Sequence, residues 1–229
     1  MKKILVSLLL FISISIYSQT SITKVLGDFS TLKVYNGIDV ELVKSDKQEL
    51  VITGEKSERV KIKNSNNTLK ISLKFSLNPA NNIADGKVKI VLYYNKTIKV
   101  IDANENANIT AKDFKQQQLE VKTQEGALIN MVIDVKHLTV KSVSGGFIKL
   151  TGVTKNQKVE VNNAGVYQGF NLKTTDVIIV RAALGGKAEV FSGETLDAKV
   201  SFGGTIFYKG IPEVLKTKKV LGGTIEAKN

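Results

Sequence analysis

Apolar and polar residues alternate in short runs along most of the chain, and Gly, Asn, Asp or Ser separate one run from the next. This alternation is typical of β-strands with one buried face, and no run has the period of a long amphipathic helix. From residue 97 onward the runs begin at regular intervals, at Ile98, Leu119, Leu138, Val159, Val177, Leu196 and Leu215. The pattern therefore predicts seven copies of one strand-containing unit in the C-terminal half.

Glycine recurs with the same period. The glycines that we predict to form corners lie 18 to 20 residues apart, at Gly126, Gly145, Gly165, Gly185, Gly203 and Gly222. Glycine accepts positive φ and lets neighbouring backbones approach closely. A repeat of about 19 residues is too short for a strand–helix–strand crossover of ~30 residues, so the chain must coil on itself.

These periods predict an all-β fold, a right-handed parallel β-helix with about seven regular rungs. The hand follows because parallel crossover connections are nearly always right-handed. An immunoglobulin-like sandwich or a lipocalin-like barrel is the alternative, but those folds have no glycine register of this regularity.

Residues 29–96 alternate without a fixed period and predict a less regular β region. Asn36-Gly37 and Asn66-Asn67 tolerate positive φ and are predicted to close turns, and residues 78–86 are predicted to form an exposed loop. We expect a single domain over residues 20–229, with its regular rungs in 97–229. The strands predicted in the irregular part are Thr31–Tyr35, Asp39–Val43, Glu49–Thr53, Val60–Lys63, Thr68–Phe75 and Lys87–Tyr93.

The first nineteen residues have a different character. Lys2 and Lys3 precede an uncharged apolar run, Ile4–Tyr17, which small and polar residues follow. This order is typical of a secretory signal peptide, and the run is shorter than the ~20 residues of a membrane-spanning helix. We therefore predict that residues 1–19 are removed and that the mature protein has no membrane-spanning segment. It would act in the periplasm, at the outer-membrane surface or outside the cell.

Composition narrows the chemistry. The chain has no cysteine, which excludes disulfides and thiolate metal sites. Its formal net charge of +12 favours anionic partners through a long-range field, although such a charge also serves solubility alone.

The two ends of the domain resemble a known family. The residues that carry the resemblance are Phe29–Val43 with Asn36-Gly37 at the start, and Gly203-Gly204, Tyr208, Gly210, Pro212 and Gly222-Gly223 within Leu196–Ile225 at the end. On these motifs the chain is similar to the putative auto-transporter adhesin head GIN domains from about Phe29 to Ala227. The resemblance implies a secreted or envelope-bound β-helical domain, common in Bacteroidetes-type bacteria, with no catalytic residues to carry over.

A set of cationic residues recurs with the same period as the corner glycines. Lys122, Lys141, Arg181, Lys199 and Lys218 each lie four residues before a corner glycine, and Val161 interrupts the series. Stacked rungs would align these side chains about 5 Å apart, where like charges repel unless solvent or an anion compensates them. The column is thus a candidate site for an acidic glycan. The alternative is a solvated face that discourages aggregation.

Other candidate residues point to chemistry less clearly. Glu105 and Glu125 fall near one corner on adjacent rungs, and paired carboxylates can cleave glycosidic bonds or hold calcium. His137 is the single histidine, and it forms a triad with Ser142 and Asp134 only on paper, because no Gly-x-Ser-x-Gly turn is present. We expect no catalytic residue, cofactor or metal.

Aromatic residues late in the chain allow two interpretations. Tyr167, Phe191, Phe202, Phe207 and Tyr208 could form a platform for sugar rings, but we expect them to fill the core because of the area that they bury.

These observations predict a non-enzymatic, adhesin-like secreted or envelope domain that contacts acidic glycans through a basic sheet face. One alternative is a structural protein that self-assembles by stacking the open end of its coil, at Thr224–Asn229, against another copy. A second alternative is a carbohydrate-active enzyme on a β-helix. Nucleic acid is a poor candidate partner for an exported protein.

Overall fold

The computed structural model describes residues 21–228; residues 1–20, which include the predicted signal peptide, and residue 229 lie outside the described part. The described residues form seventeen strands joined in one hydrogen-bonded sheet. They contain no helix long and apolar enough to cross a membrane. Two single-turn 3-10 helices, at Ser57–Arg59 and Pro79–Asn81, are the helical elements in this range.

The strands have the following bounds: β1 Ile22–Val25, β2 Thr31–Val34, β3 Asp39–Lys44, β4 Glu49–Thr53, β5 Val60–Ser65, β6 Thr68–Leu73, β7 Lys89–Tyr94, β8 Val100–Ala103, β9 Asn108–Thr123, β10 Leu128–Ser142, β11 Phe147–Val161, β12 Val166–Ala183, β13 Lys187–Phe191, β14 Thr195–Ser201, β15 Thr205–Lys209, β16 Val214–Val220 and β17 Thr224–Ala227.

Residues 100–227 form a parallel β-solenoid of about seven turns, which confirms the predicted fold class. Each turn contributes one segment to a first face, bends at a corner, and contributes a second segment to a second face. The first face contains β8, the C-terminal parts of β9 to β12, β14 and β16. The second face contains the N-terminal parts of β9 to β12, β13, β15 and β17.

The core consists of columns of inward side chains. Because neighbouring strands are parallel and alternate residues point inward, equivalent positions of successive turns stack. Val121, Val140, Val159, Val180 and Ala198 form one fully buried column of this kind.

The register differs from the sequence prediction in three turns. Val100 lies level with Glu120, so the predicted first rung, Ile98–Val100, is displaced by one residue against Leu119–Val121. The residues level with Leu138 in the next two turns are Gln157 and Ile178, not the predicted Val159 and Val177. The apolar pattern hid this register because Gln157 is a polar residue at an inward position, where it is only 2% exposed.

The corners are two-residue turns whose central residues both have positive φ, the type I′ geometry. Gly126, Gly145, Gly185, Gly203 and Gly222 have φ between 72° and 82°, as their role requires. Gly165 lies one position later than predicted, and Ala164 takes the left-handed position with φ 58°. A Cβ on Gly165 would lie 2.1 Å from the Ser142 carbonyl oxygen, so this glycine is needed for close approach of two turns.

The N-terminal region is more regular than predicted. Its strands match the predicted bounds within two residues, and β2–β3 and β6–β7 form further parallel turns of the same coil. The stacking order departs from chain order, because β2 lies between β6 and β8, and β3 lies between β7 and β9. Antiparallel β4, β1 and β5 then cover this end of the coil.

The C-terminal end has no such cover among the described residues. β16 and β17 form the last turn, and no strand pairs with their outer edge. The inward positions of β16 are Leu215, Thr217 and Lys219, level with the buried Leu196, Ala198 and Val200. The last turn thus places a polar residue and a cation where inner turns have apolar residues.

Candidate functional site

The register brings the five predicted cations into one outward column on the first face. Lys122 lies beside Lys141, and Arg181, Lys199 and Lys218 lie beside one another two turns further on. We call these five residues the basic row. The turn between its two parts contributes Glu160 to this column. Val161, which the sequence spacing placed there, is buried and points inward.

Carboxylates compensate the first three cations of the basic row. One oxygen of Glu120, Oε1, lies 3.1 Å from the Lys122 Nζ atom and 3.2 Å from the Lys141 Nζ atom. Burial alone would raise the pKa of Glu120, but the hydrogen bonds and charges of the two lysines outweigh it and lower the pKa. Arg181 Nη1 lies 2.9 Å from Asp197 Oδ1. Two carboxylates thus engage three cations, so the net charge of these five groups is +1.

Positive charge accumulates instead at the C-terminal end of the face. Lys199 and Lys218 have no carboxylate of residues 21–228 within 4.0 Å, and neither has Lys216 in the adjacent outward column. Successive strands lie ~4.8 Å apart, so the three ammonium groups occupy one small surface on β14 and β16.

Two shallow, open depressions lie in line along the coil axis beside the basic row. Their volumes are about 330 and 420 Å³, and His137 and Thr139 line both. We call their union the axial groove, and it crosses five turns of the coil. Its lining residues are Lys99, Val100, Gln118, Leu119, Glu120, His137, Leu138, Thr139, Asn156, Gln157, Lys158, Val177 and Ile179.

The axial groove offers both polar and apolar contacts. Val177 and Ile179 are each 37% exposed at one end. His137 and Asn156 lie side by side in the middle, with 3.5 Å between His137 Nδ1 and Asn156 Nδ2. Glu120, Thr139, Lys158 and Ile179 form its long column, two residues before the basic row on each strand. Each depression has the size of ordinary ligand sites, which is roughly 300–1,000 Å³.

The sequence did not reveal this groove. Its lining comes from five turns, and only the strand register places these residues side by side. His137 carried the one available signal, because it precedes the inward Leu138 by one position and must therefore point outward. Without the strand register, the sequence does not show which residues lie beside His137.

The remaining candidate chemistry is dispersed. Ser142 is fully buried, and its Oγ donates to the Gly146 carbonyl oxygen at 2.6 Å, whereas His137 lies on the outer side of the same strand. The two do not meet, so no nucleophile–base pair forms. Glu105 and Glu125 occupy equivalent positions of adjacent corners, and Glu105 Oε2 accepts a 2.6 Å hydrogen bond from Asn36.

The aromatic residues divide between core and surface. Tyr167 is fully buried, and Tyr208 packs partly buried against the core. Phe191 and Phe207 are half-buried at outward positions of the second face, level with Lys209 and Glu189, so the expectation that they fill the core is wrong. Phe202 is 55% exposed, so the expectation that it fills the core is wrong.

The fold and this face together define a class, a parallel β-helical domain that presents a long open surface. Within this class, the chain belongs to the family described as putative auto-transporter adhesin, head GIN domain, which matches residues 28–212. The family match confirms the resemblance that the corner motifs indicated.

Solved structures show the same fold. A putative adhesin from Bacteroides fragilis is similar with a TM-score of 0.82 and 20% identity, covering 93% of this chain and 98% of that one. A putative lipid binding protein from Parabacteroides distasonis has a TM-score of 0.70 and 19% identity, with 92% and 97% coverage. A putative adhesin from Parabacteroides merdae has a TM-score of 0.64 and 19% identity, with 92% and 96% coverage. A search of the curated proteins found no match.

Proposed function

We propose that this protein is a non-enzymatic, exported, adhesin-like domain that holds a linear acidic glycan along the axial groove. The observation that supports this proposal is that the axial groove and the basic row run side by side along the coil axis over several turns. A linear polymer laid along the coil axis would meet the groove and the cations together. Sugar hydroxyls would contact His137, Thr139 and Asn156, and acidic groups would reach Lys199, Lys216 and Lys218.

The charge distribution supports an acidic ligand over a neutral one. Lys122 and Lys141 are already engaged by Glu120, so they hold the face together more than they attract a ligand. Lys199 and Lys218 have no such partner among the described residues, and their ammonium groups are available to carboxylate or sulfate. Hydrogen bonds to charged groups contribute about 1.5–3 kcal/mol each.

The first experiment measures binding to immobilised polygalacturonate, with methyl-esterified pectin as the neutral match. We expect binding to the acidic polymer that weakens as salt rises, because exposed charges are screened. Lys199→Gln with Lys218→Gln should raise Kd by about tenfold or more. Lys61→Gln with Lys63→Gln, at the other end of the coil, is the matched control and should leave Kd unchanged.

A second variant tests the groove itself. Thr139→Phe places a ring where the two depressions meet, and β-strands accept Phe well. We expect this variant to lose binding while Asn130→Phe, an exposed position on the second face, keeps it. Equal binding of the esterified and acidic polymers, or unchanged binding by the Thr139 and Lys199–Lys218 variants, would overturn the proposal.

A further inference from the structure

Three consecutive corners near the C-terminal end carry large apolar side chains in an unfavourable backbone conformation. Leu184, Phe202 and Leu221 have φ of 50°, 49° and 51°. Bulky residues seldom adopt this left-handed region, which Asn and Gly tolerate. The equivalent corner positions in earlier turns are Asn36, Glu105, Glu125, Ser144 and Asn163, which are all polar.

These three side chains are also exposed. The exposed fractions are 57% for Leu184, 55% for Phe202 and 72% for Leu221. Because their corners belong to successive turns, they form one continuous apolar line, which we call the corner ridge. Single exposed apolar residues need no explanation, but a contiguous apolar surface marks an interaction site.

Cations accompany the ridge. Lys199 and Lys218, which have no carboxylate partner among the described residues, precede Phe202 and Leu221 by three positions. Arg181 and Lys187 flank Leu184 at the same distance but are paired with Asp197 and Glu189. In the preceding turn, Glu160 takes the place of the cation and Asn163 takes the place of the apolar corner residue. The cation and the apolar side chain therefore appear in the same turns. An apolar line beside a row of cations is complementary to a bilayer with anionic headgroups, because the side chains enter the acyl boundary while the cations meet the headgroups.

The dimensions favour a bilayer over another protein. The ridge spans three turns, about 10 Å at ~4.8 Å per turn, and is one side chain wide. A stable protein interface buries roughly 800 Å² on each partner, far more than this line provides. A bilayer accepts each protruding side chain independently.

We infer that the corner ridge docks this protein onto the surface of an anionic lipid bilayer. The inference shares Lys199 and Lys218 with the glycan proposal, but Leu184, Phe202 and Leu221 lie on the corner and are not part of the axial groove, so substitutions of these three side chains test the lipid contact alone. The protein would thus attach to a membrane along one edge and present its first face to a polymer.

The test uses protein purified after expression of the full chain and vesicles of phosphatidylcholine with phosphatidylglycerol at about 3:1. We expect co-sedimentation with these vesicles and weaker co-sedimentation with phosphatidylcholine alone. The combined variant Leu184→Asn, Phe202→Asn and Leu221→Asn should lower the partition coefficient by about tenfold or more. Its thermal midpoint should not fall, because Asn suits the left-handed conformation better than Leu or Phe, so lost binding cannot reflect misfolding.

Two controls localise the effect. Ile211→Asn removes a side chain that is 98% exposed but lies away from the corners, and it should leave binding unchanged. The chain has no tryptophan, so Phe202→Trp places a single tryptophan on the ridge, whose emission is excited selectively over that of the six tyrosines. Its emission should shift to the blue on adding anionic vesicles, and that of Ile211→Trp should not.

Other outcomes overturn the inference. Unchanged partition of the triple Asn variant would show that the ridge does not contact lipid. A blue shift of the Phe202→Trp emission that depends on protein concentration without lipid would assign the ridge to contacts between copies. A shift of the same size with neutral vesicles would remove the role of the cations.

Discussion

Tyr167 and Gln157 form a hydrogen-bonded polar pair inside a mostly apolar core. Replacing their polar groups tests how much this buried hydrogen bond contributes to stability. Tyr167 donates from its hydroxyl to Gln157 Oε1 at 3.0 Å, and Gln157 donates from Nε2 to Thr174 Oγ1. All three residues are buried, and burial raises the pKa of Tyr167 far above its usual value. The hydroxyl therefore stays neutral, and remains a donor, at neutral pH.

Tyr167→Phe should destabilise the protein through the atom that it leaves behind. The substitution keeps the ring but leaves Gln157 Oε1 buried without this donor, which costs about 1–3 kcal/mol. For a chain of this size each kcal/mol lowers Tm by roughly 2–4 °C. We expect a fall in Tm of about 2–12 °C, measured by circular dichroism, and a matching fall in the urea midpoint.

A combined variant separates this explanation from a general intolerance of change. Gln157→Leu, Tyr167→Phe and Thr174→Val together replace the polar cluster by apolar groups of similar shape, and Leu restores the column of Leu138 and Ile178. Such a replacement is nearly neutral in principle, so stability should return to within about 1 kcal/mol of the parent.

Tyr94→Phe is the matched control, because Tyr94 is also buried but its hydroxyl makes no hydrogen bond to another described residue. Burial raises the pKa of Tyr94 to about 12. A Tyr167→Phe variant as stable as the parent, or a combined variant less stable than Tyr167→Phe alone, would refute the reasoning.

The turns, the charge pairs and the N terminus supply three further tests. Gly165→Ala should cost about 2–3 kcal/mol of stability, because its Cβ would lie 2.1 Å from the backbone of the preceding turn. A Cβ on Gly145 meets no atom within 4 Å, so Gly145→Ala should cost only the ~1–2 kcal/mol of a left-handed alanine. Urea denaturation of the two variants distinguishes these two roles of glycine. Glu120→Gln should lower stability by roughly 0.5–1 kcal/mol at neutral pH. The folded-state pKa of Glu120 lies below its ordinary value of 4.5, so this contribution to stability is full above pH 4.5 and disappears as the pH falls through the folded-state pKa. The free energies of unfolding of parent and variant should therefore converge in acid. A difference in stability that grows in acid would contradict the assignment. Intact mass of the exported protein should correspond to loss of about nineteen residues, and a retained N terminus would show that the predicted signal peptide is not removed.

The architecture was predictable because the β-helix repeats one local rule. Inward apolar columns and left-handed corners each produce a periodic pattern in the sequence. Together these two patterns predict the fold class and the number of turns. The outward column of the basic row was also accessible, since its members keep a fixed distance from the corner glycines. Glu160 was missed because the spacing from Gly165 is one residue off in that turn, where Ala164 takes the corner position.

The groove and the end cover were not predictable for a different reason. Residues lining the axial groove are about 19 positions apart, and bulges such as the shift between Gly169 and Lys173 change the local register without a sequence mark. Gly169 itself makes room for the Tyr167 ring, because a Cβ there would lie 2.6 Å from the Tyr167 hydroxyl. The placement of β2 between β6 and β8 depends on long-range pairing, which local patterns do not encode.

The polar last turn has a consequence for how such a molecule can grow. A second copy that continued the coil beyond β16 would enclose the Lys219 ammonium in the interior without a counter-ion, at a cost of several kcal/mol. The opposite end is covered by antiparallel β4, β1 and β5, so a parallel turn of a second copy does not continue the coil there either. We therefore expect that a duplicated inner turn inserted between β10 and β11 is tolerated, whereas the parent protein does not extend its coil by end-to-end stacking of copies.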